Sequence, residues 1–86
     1  MSPEQIQQQI KRAILTVLNR AGSYLMPQPT LQQEVEVWLG RKQLASDFER
    51  VLRELETREL ITGVTPELGG AVRWRLTDAG RSHVPM

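Results

Sequence analysis

Residues 44–60, LASDFERVLRELETREL, have the clearest structural pattern in the chain. Apolar side chains recur there every three or four residues, which is the spacing of one face of an α-helix. Ser46 is a suitable N-cap, and Glu49 three residues later would complete a capping box. The segment therefore predicts one amphipathic helix with a single buried face. That face consists of Phe48, Val51, Leu52 and Leu55.

The opposite side of this helix is polar and includes two arginines. Its most exposed line holds Ser46, Arg50, Arg53 and Thr57. Arginines on an exposed helix can contact base edges or phosphates in the major groove of DNA. They can equally form intrahelical ion pairs, each worth about 0.2–0.5 kcal/mol. The pairs with the required four-residue spacing are Glu49–Arg53, Arg50–Glu54 and Glu54–Arg58. The two interpretations can coexist, because pairs this weak would exchange for phosphate contacts.

An earlier helix is predicted from Ser2, the N-cap, to Gly22, which is placed to end it. Pro3 suits the first helical position, and Gln5 completes a capping box. Its predicted buried face follows helical spacing and consists of Ile6, Ile10, Ala13, Ile14, Val17, Leu18 and Ala21. Leu15 projects away from this face. We therefore expect Leu15 to be exposed, as a candidate for a second contact surface.

A second helix is predicted between a Thr30 N-cap, with Gln33 as its capping-box partner, and Gly40. The preceding residues 23–29 are not expected to be helical, because Pro27 and Pro29 interrupt them, although residues 24–26 could pair as an edge strand. The apolar face of this helix is Leu31, Val35, Trp38 and Leu39. A short basic link then leads to the helix over residues 44–60, which matches a helix-turn-helix pattern. The candidate DNA-contact residues in this link are Arg41, Lys42 and Gln43.

The C-terminal third predicts a β-hairpin. Residues 60–64 and 71–77 read as strands, and residues 65–70, TPELGG, have turn chemistry. In the second strand, AVRWRLT, one face is expected to be buried and the other solvated. The buried face holds Val72, Trp74 and Leu76, and the solvated face holds Arg73 and Arg75.

The two arginines of this hairpin allow two interpretations. Alternate arginines suit contact with a DNA backbone or minor groove, and they also suit an edge strand that is protected against aggregation. Arg41, Lys42 and Arg81 could join the same basic surface. Trp74 and Trp38 lie on apolar faces, so core packing is the expected role of both, with base stacking as the alternative. Thr77 can cap a last turn over residues 78–81, and the tail 82–86 is expected to be frayed.

Composition excludes several functional classes. The chain has 86 residues, no cysteine and a single histidine, His83, near its end. Disulfides, thiolate catalysis and cysteine-based zinc sites are excluded, and no phosphate-binding glycine loop or metal-ligand cluster occurs. No apolar run is long enough for a membrane span, and no signal-peptide pattern is present. We therefore expect a cytoplasmic protein that is not an enzyme and uses no cofactor or metal.

Charge is unevenly distributed along the chain. The net charge is only +1. Residues 44–70 carry three basic and six acidic residues, a net charge of −3, whereas residues 1–43 and 71–86 are each at +2. Strong non-specific DNA affinity depends on neutralising phosphates with basic side chains. The segment with the most acidic residues is thus the one that contains the helix with Arg50 and Arg53.

Two segments resemble the winged helix-turn-helix superfamily. LASDFERVLRELETRELI is similar to its recognition helix running into the first wing strand, and VRWRLTDAGR is similar to its second wing strand, with the LT-x-x-G corner of many members. The resemblance covers nearly the whole chain, and freestanding members of this size occur in bacteria and prophages. It implies an α+β fold: three helices plus a C-terminal two- or three-stranded antiparallel wing, as one domain over residues 1–86.

The resemblance also implies a function. Such domains usually bind double-stranded DNA, often as dimers, with the third helix in the major groove and the wing on the backbone. It gives Ser46, Arg50 and Arg53 the helix role, and Arg73 and Arg75 the wing role. We therefore expect a small DNA-binding regulator of transcription. The alternative is a winged-helix module that binds a protein partner and no DNA. The acidic flanks of the third helix and Leu15 suggest this alternative.

Overall fold

The computed structural model describes residues 2–84 and shows four helices and a three-stranded sheet within them. The elements, in chain order, are α1 (Pro3–Ala21), β1 (Met26–Pro27), α2 (Gln28–Leu39), α3 (Ala45–Thr57), β2 (Ile61–Val64), β3 (Arg73–Leu76) and α4 (Asp78–Arg81). The predicted α+β, winged helix-turn-helix fold is confirmed, with the short α4 as an additional helix. No helix in this described part of the chain is long and apolar enough to cross a bilayer.

Helix α1 begins as its sequence predicts. The Ser2 hydroxyl accepts the N–H of Gln5 at 3.3 Å, and the Gln5 side chain accepts the N–H of Ser2 at 3.3 Å. These two bonds satisfy backbone donors that the first turn of a helix otherwise leaves free. Gly22 ends α1 with a φ of 66°, a conformation that glycine adopts without steric cost.

Helix α1 is the centre of the core. It contacts α2, α3, β3 and α4, so it is covered on several sides. Leu15 is consequently only 4% exposed, and it lies near Leu60 and His83. The expectation that Leu15 is exposed is therefore wrong. A helical projection assumes one packed face, whereas α1 is also covered on the side that holds Leu15.

Helix α2 starts three residues earlier than its sequence predicts. Pro27 is its N-cap residue and Gln28 its first residue, so Thr30 lies inside the first turn and does not cap it. Pro29 is tolerated there because the N–H groups of a first turn have no partner within the helix. The Gln28 N–H instead donates to the carbonyl of Val72 at 2.9 Å. Gly40 ends the helix in the left-handed conformation, as expected.

The two tryptophans differ in burial. Trp74 is only 6% exposed, which agrees with its predicted core position. Trp38 is 52% exposed, so its predicted core role is wrong. Helix α2 buries a narrow face consisting of Leu31 and Val35, and the Trp38 side is left half-open, with the Arg20 side chain of α1 over the indole ring.

Helix α3 has the predicted buried face but a different start. Phe48, Val51, Leu52 and Leu55 are all buried. The N-cap residue is Leu44, whose carbonyl accepts the Phe48 N–H at 3.0 Å, and no side chain caps the helix. Ser46 is therefore a residue of the first turn, and the predicted capping box with Glu49 is wrong. Ser46 remains exposed on the outer side.

The sheet has the strand order β1-β3-β2, and both pairs are antiparallel. Trp74 of β3 pairs with Met26 on one side and with Gly63 on the other. Along β3, exposed and buried residues alternate as predicted, with Trp74 and Leu76 facing the core. The residues before α2 thus add a third strand, at the edge of the predicted hairpin.

A compact corner joins β3 to the end of α3. The Thr77 hydroxyl accepts the Gly80 N–H at 3.0 Å and donates to the Glu59 carbonyl at 2.6 Å. The Thr77 N–H donates to the Leu60 carbonyl at 3.1 Å. Thr77 therefore caps α4, as predicted, and also fixes α4 against the start of β2.

The segment after α4 is hydrogen-bonded up to the last described residue. The N–H groups of Ser82 and His83 donate to carbonyls of α4, and Val84 is partly buried against the core. The expectation of a frayed tail is therefore wrong for residues 82–84. Residues 85 and 86 lie outside the described part of the chain.

Candidate nucleic-acid interface

The outer face of α3 presents two arginines to solvent. Arg50 and Arg53 are both exposed, together with Ser46 near the start of the helix. Two ion pairs occur within residues 2–84, Lys11–Glu54 and Asp78–Arg81. None of the predicted intrahelical pairs of α3 is formed. The guanidinium groups of Arg50 and Arg53 are therefore open to an anionic partner.

One of the α3 glutamates is neutralised by the core helix. The Lys11 ammonium group of α1 lies 3.1 Å from the Glu54 carboxylate, and Lys11 is largely buried. A partly buried pair of this kind is screened less by salt than an exposed one. Glu54 therefore adds little negative charge to the outer face. Spacing along α3 predicted two arginine partners for Glu54 and did not reveal Lys11, which is 43 residues away.

On the side of α3 nearest the sheet, two glutamates flank a single arginine. Glu49, Arg53 and Glu56 border a cleft whose other wall includes Gly63 and Thr65 of the wing. The two carboxylates make no ion pair with any other described residue. A phosphate that approaches Arg53 from this side would therefore meet two negative charges.

The wing arginines face away from that cleft. Arg73 and Arg75 are exposed on the opposite face of β3 from Trp74, which itself lines the cleft. Arg73 makes one long hydrogen bond, from its Nη1 to the Leu25 carbonyl at 3.5 Å, and Arg75 makes none among the described residues. The structure thus brings Arg53 close to the wing but places the predicted wing contacts on the other surface of the sheet.

The turn between α2 and α3 is held by side chains. The Gln43 N–H donates to the Glu36 carboxylate of α2 at 2.8 Å, and the Arg41 guanidinium donates to the Gln9 side chain of α1. Arg41 and Gln43 are half-buried, whereas Lys42 is exposed. Two of the three predicted contact residues in this turn therefore have structural partners. Sequence spacing gave no indication of Glu36, because its bond to Gln43 forms only once the turn closes.

Comparison with known proteins supports the fold. No family model matches the chain, and no curated protein matches it. Among solved structures, it resembles a PadR-like transcription factor from Bacteroides fragilis with a TM-score of 0.71 and 14% sequence identity. The likeness covers 93% of this chain and 77% of that chain. At this level of identity, the match shows that the two chains share the winged helix-turn-helix fold.

Proposed function

We propose that this protein is a DNA-binding regulator of transcription that inserts α3 into the major groove. The observation that carries the proposal is the pair of exposed arginines without ion partners, Arg50 and Arg53, on the outer face of α3. The fold it shares with a PadR-like transcription factor adds support. In this proposal, residues 1–86 act as one winged-helix domain.

The candidate residues take different roles in this proposal. Ser46, Arg50 and Arg53 contact base edges or phosphates, as residues of a recognition helix do. Lys42 contacts the backbone beside the start of α3. Arg73 and Arg75 bind phosphates of a flanking segment, on the outer face of the sheet. The half-buried Arg41 and Gln43 contribute by holding α3 in position, and any DNA contact they make is secondary.

Arg50→Ala and Arg53→Ala should each weaken DNA binding and leave the fold intact, because both side chains point away from the core. Loss of a base contact costs about 1–3 kcal/mol, and loss of a phosphate contact lowers the salt slope by about one unit. The measurement is the affinity for duplex DNA at two salt concentrations, first with random sequence. Arg73→Ala and Arg75→Ala should change mainly the salt slope.

Arg81→Ala is the matched control for this series. Arg81 is also an exposed arginine, but it lies on α4, has an ion partner in Asp78 at 3.7 Å, and is not assigned a DNA contact in this proposal. Its loss should leave the affinity and the salt slope unchanged. If the four interface variants bind DNA as the unaltered protein does, α3 and the wing are not the recognition surface.

A second candidate function is a protein-interaction module. The exposed carboxylates Glu49 and Glu56, which flank Arg53 and lack ion partners among the described residues, favour it. Leu15 was the other feature that suggested this function, but it is buried and therefore does not support it. Pull-down from the native cells after nuclease treatment would test this reading, and recovery of no stoichiometric protein partner would count against it.

Glu49→Gln and Glu56→Gln distinguish the two functions. If α3 approaches DNA, both changes should strengthen binding slightly, because each removes repulsion of a nearby phosphate. If α3 binds a basic protein surface, the same changes should weaken partner binding. Parallel titrations of each variant with duplex DNA and with any captured partner give the answer, and Glu4→Gln, in the first turn of α1, controls for the change in net charge.

A further inference from the structure

Lys11 of α1 lies at the contact between α1 and α3. Its ammonium Nζ is 3.1 Å from a carboxylate oxygen of Glu54, and the Lys11 side chain is only 14% exposed, against 42% for Glu54. Lysine is rarely buried unless it is paired. The bond joins two helices that are far apart in the sequence, so it binds the Glu54 carboxylate to α1.

Glu54 has two other possible partners on its own segment. Arg50 lies four residues before it and Arg58 four residues after it, which is the spacing at which side chains of a helix meet. The helical spacing extends to Arg58, because its N–H donates to the Glu54 carbonyl at 3.1 Å. Nevertheless, Glu54 pairs with neither arginine, and among residues 2–84 its carboxylate is bound by Lys11 alone.

The burial of Lys11 explains why Glu54 pairs with it. Arg50 and Arg58 are both exposed, and ion pairs between exposed side chains contribute little, because water and salt screen them. Removing the partner of a largely buried charge is more costly, since the remaining charge has neither water nor a counter-ion. A Glu54 that paired with Arg50 would leave Lys11 in that state. The Lys11–Glu54 pair is therefore favoured over pairing along α3.

We propose that Lys11 is a positioning residue for the outer face of α3, because its bond to Glu54 keeps Arg50 free for an anionic partner. Lys11 itself makes no contact with that partner. In a chain without this ammonium group, the Glu54 carboxylate pairs with the arginines beside it, and Arg50 is then partly neutralised before any phosphate arrives. The partner is DNA in the proposed function, on which the expected effect on affinity rests.

The affinity for duplex DNA at low salt, measured in a double-variant cycle, tests this effect. Lys11→Met keeps most of the aliphatic stem but removes the charge, and it should weaken binding about threefold to fivefold. Glu54→Gln alone should change the affinity by less than about twofold, because Lys11 already neutralises this carboxylate. In the Lys11→Met chain, the same change should restore the affinity. Lys11→Arg keeps the charge and should bind as the unaltered protein does, and circular dichroism checks the fold of each variant.

Arg20→Gln is the matched control for net charge. It removes one positive charge from the last turn of α1, away from Glu54, and should change the affinity much less than Lys11→Met does. If the control weakens binding as much as Lys11→Met, net charge alone explains the effect and the proposal fails. It also fails if Glu54→Gln strengthens binding equally with and without Lys11, because the two residues then act independently.

The Nε–Hε signal of Arg50 in an NMR spectrum tests the proposal without DNA. In the Lys11→Met chain this signal should shift from its position in the unaltered protein, and adding Glu54→Gln should return it. The Arg75 signal, from the sheet, should stay in place throughout. If Arg50 responds in this way but no chain binds DNA, the proposed function fails while the positioning role of Lys11 is supported. An Arg50 signal that is the same in all three chains overturns the inference, even where DNA binding is retained.

Discussion

Gly80→Ala should strongly destabilise or unfold the protein. A Cβ atom at this position would lie 1.9 Å from the carbonyl oxygen of Leu60 and 2.9 Å from its carbonyl carbon. Both atoms belong to the backbone and cannot rotate away as a side chain can. The corner would have to open, which would break the bonds of Thr77 to the Glu59 and Leu60 carbonyls. Overpacking a tight site costs about 1–3 kcal/mol and occasionally more, and contact with fixed backbone atoms belongs at the upper end.

Urea denaturation followed by circular dichroism measures this loss, and Gly40→Ala is the control. A Cβ atom at Gly40 meets nothing within 4 Å, but its φ of +73° disfavours alanine. That variant should lose about 1–2 kcal/mol, the usual cost of the left-handed conformation. If Gly80→Ala cost less than Gly40→Ala, α4 would not be packed against the start of β2. The comparison separates steric exclusion from backbone strain.

Trp74→Ala should lower the free energy of unfolding by about 3–5 kcal/mol, the usual range for emptying a buried aromatic site. Trp74 is central in the sheet and faces the core, and its Nε1 donates to the Gln28 side chain at 3.2 Å. The change therefore leaves a cavity and also removes the hydrogen bond that joins the wing to the start of α2. Domains have only about 5–15 kcal/mol of stability in total, so this loss could unfold a chain of this size.

Trp38→Ala is the matched control, because the same side chain is removed from a half-exposed position. It should cost much less than Trp74→Ala, because a half-exposed side chain contributes less buried apolar area than a buried one. Intrinsic fluorescence offers a second readout, since Trp74 should emit as a buried indole and Trp38 as a hydrated one. A loss below about 1 kcal/mol for Trp74→Ala would contradict its place in the core.

The sequence predicted those features of the fold that follow from local periodicity. The buried face of α3 and the alternation along β3 were predictable because spacing of 3.6 or two residues fixes which side chains share a face. The burial of Leu15 and the exposure of Trp38 were not predictable in this way. They depend on how many neighbours cover a helix, and this number is set by tertiary packing.

Helix starts show a related limit. Thr30 and Ser46 are good capping residues, yet α2 and α3 begin before them at Gln28 and Ala45. At both starts, tertiary contacts decide the boundary. The Gln28 N–H donates to the Val72 carbonyl at the first residue of α2. The Gln43 N–H donates to the Glu36 carboxylate two residues before α3 begins. A cap worth about 1 kcal/mol is easily outweighed by such contacts.

The candidate site was predicted in part. Helical spacing placed Arg50 and Arg53 on the exposed side of α3, and the structure agrees. The intrahelical pairs were also reasonable from spacing, but Lys11 pairs with Glu54 from a distant part of the chain. Spacing within one strand also could not show that Arg73 and Arg75 would face away from Arg53. The relative orientation of a helix and a sheet is a property of the whole fold.

The position of β3 in the middle of the sheet has a consequence for the newly made chain. Strands β1 and β2 do not pair with each other, and both need β3, which follows them in the sequence. While the ribosome has not yet released residues 73–76, the apolar side chains of Met26 and Ile61 lack their strand partner. Unpaired strands and uncovered apolar surface promote aggregation of incomplete chains. Truncated chains that end before Arg73 should therefore be aggregation-prone and bind holding chaperones, whereas chains that include β3 should be less so.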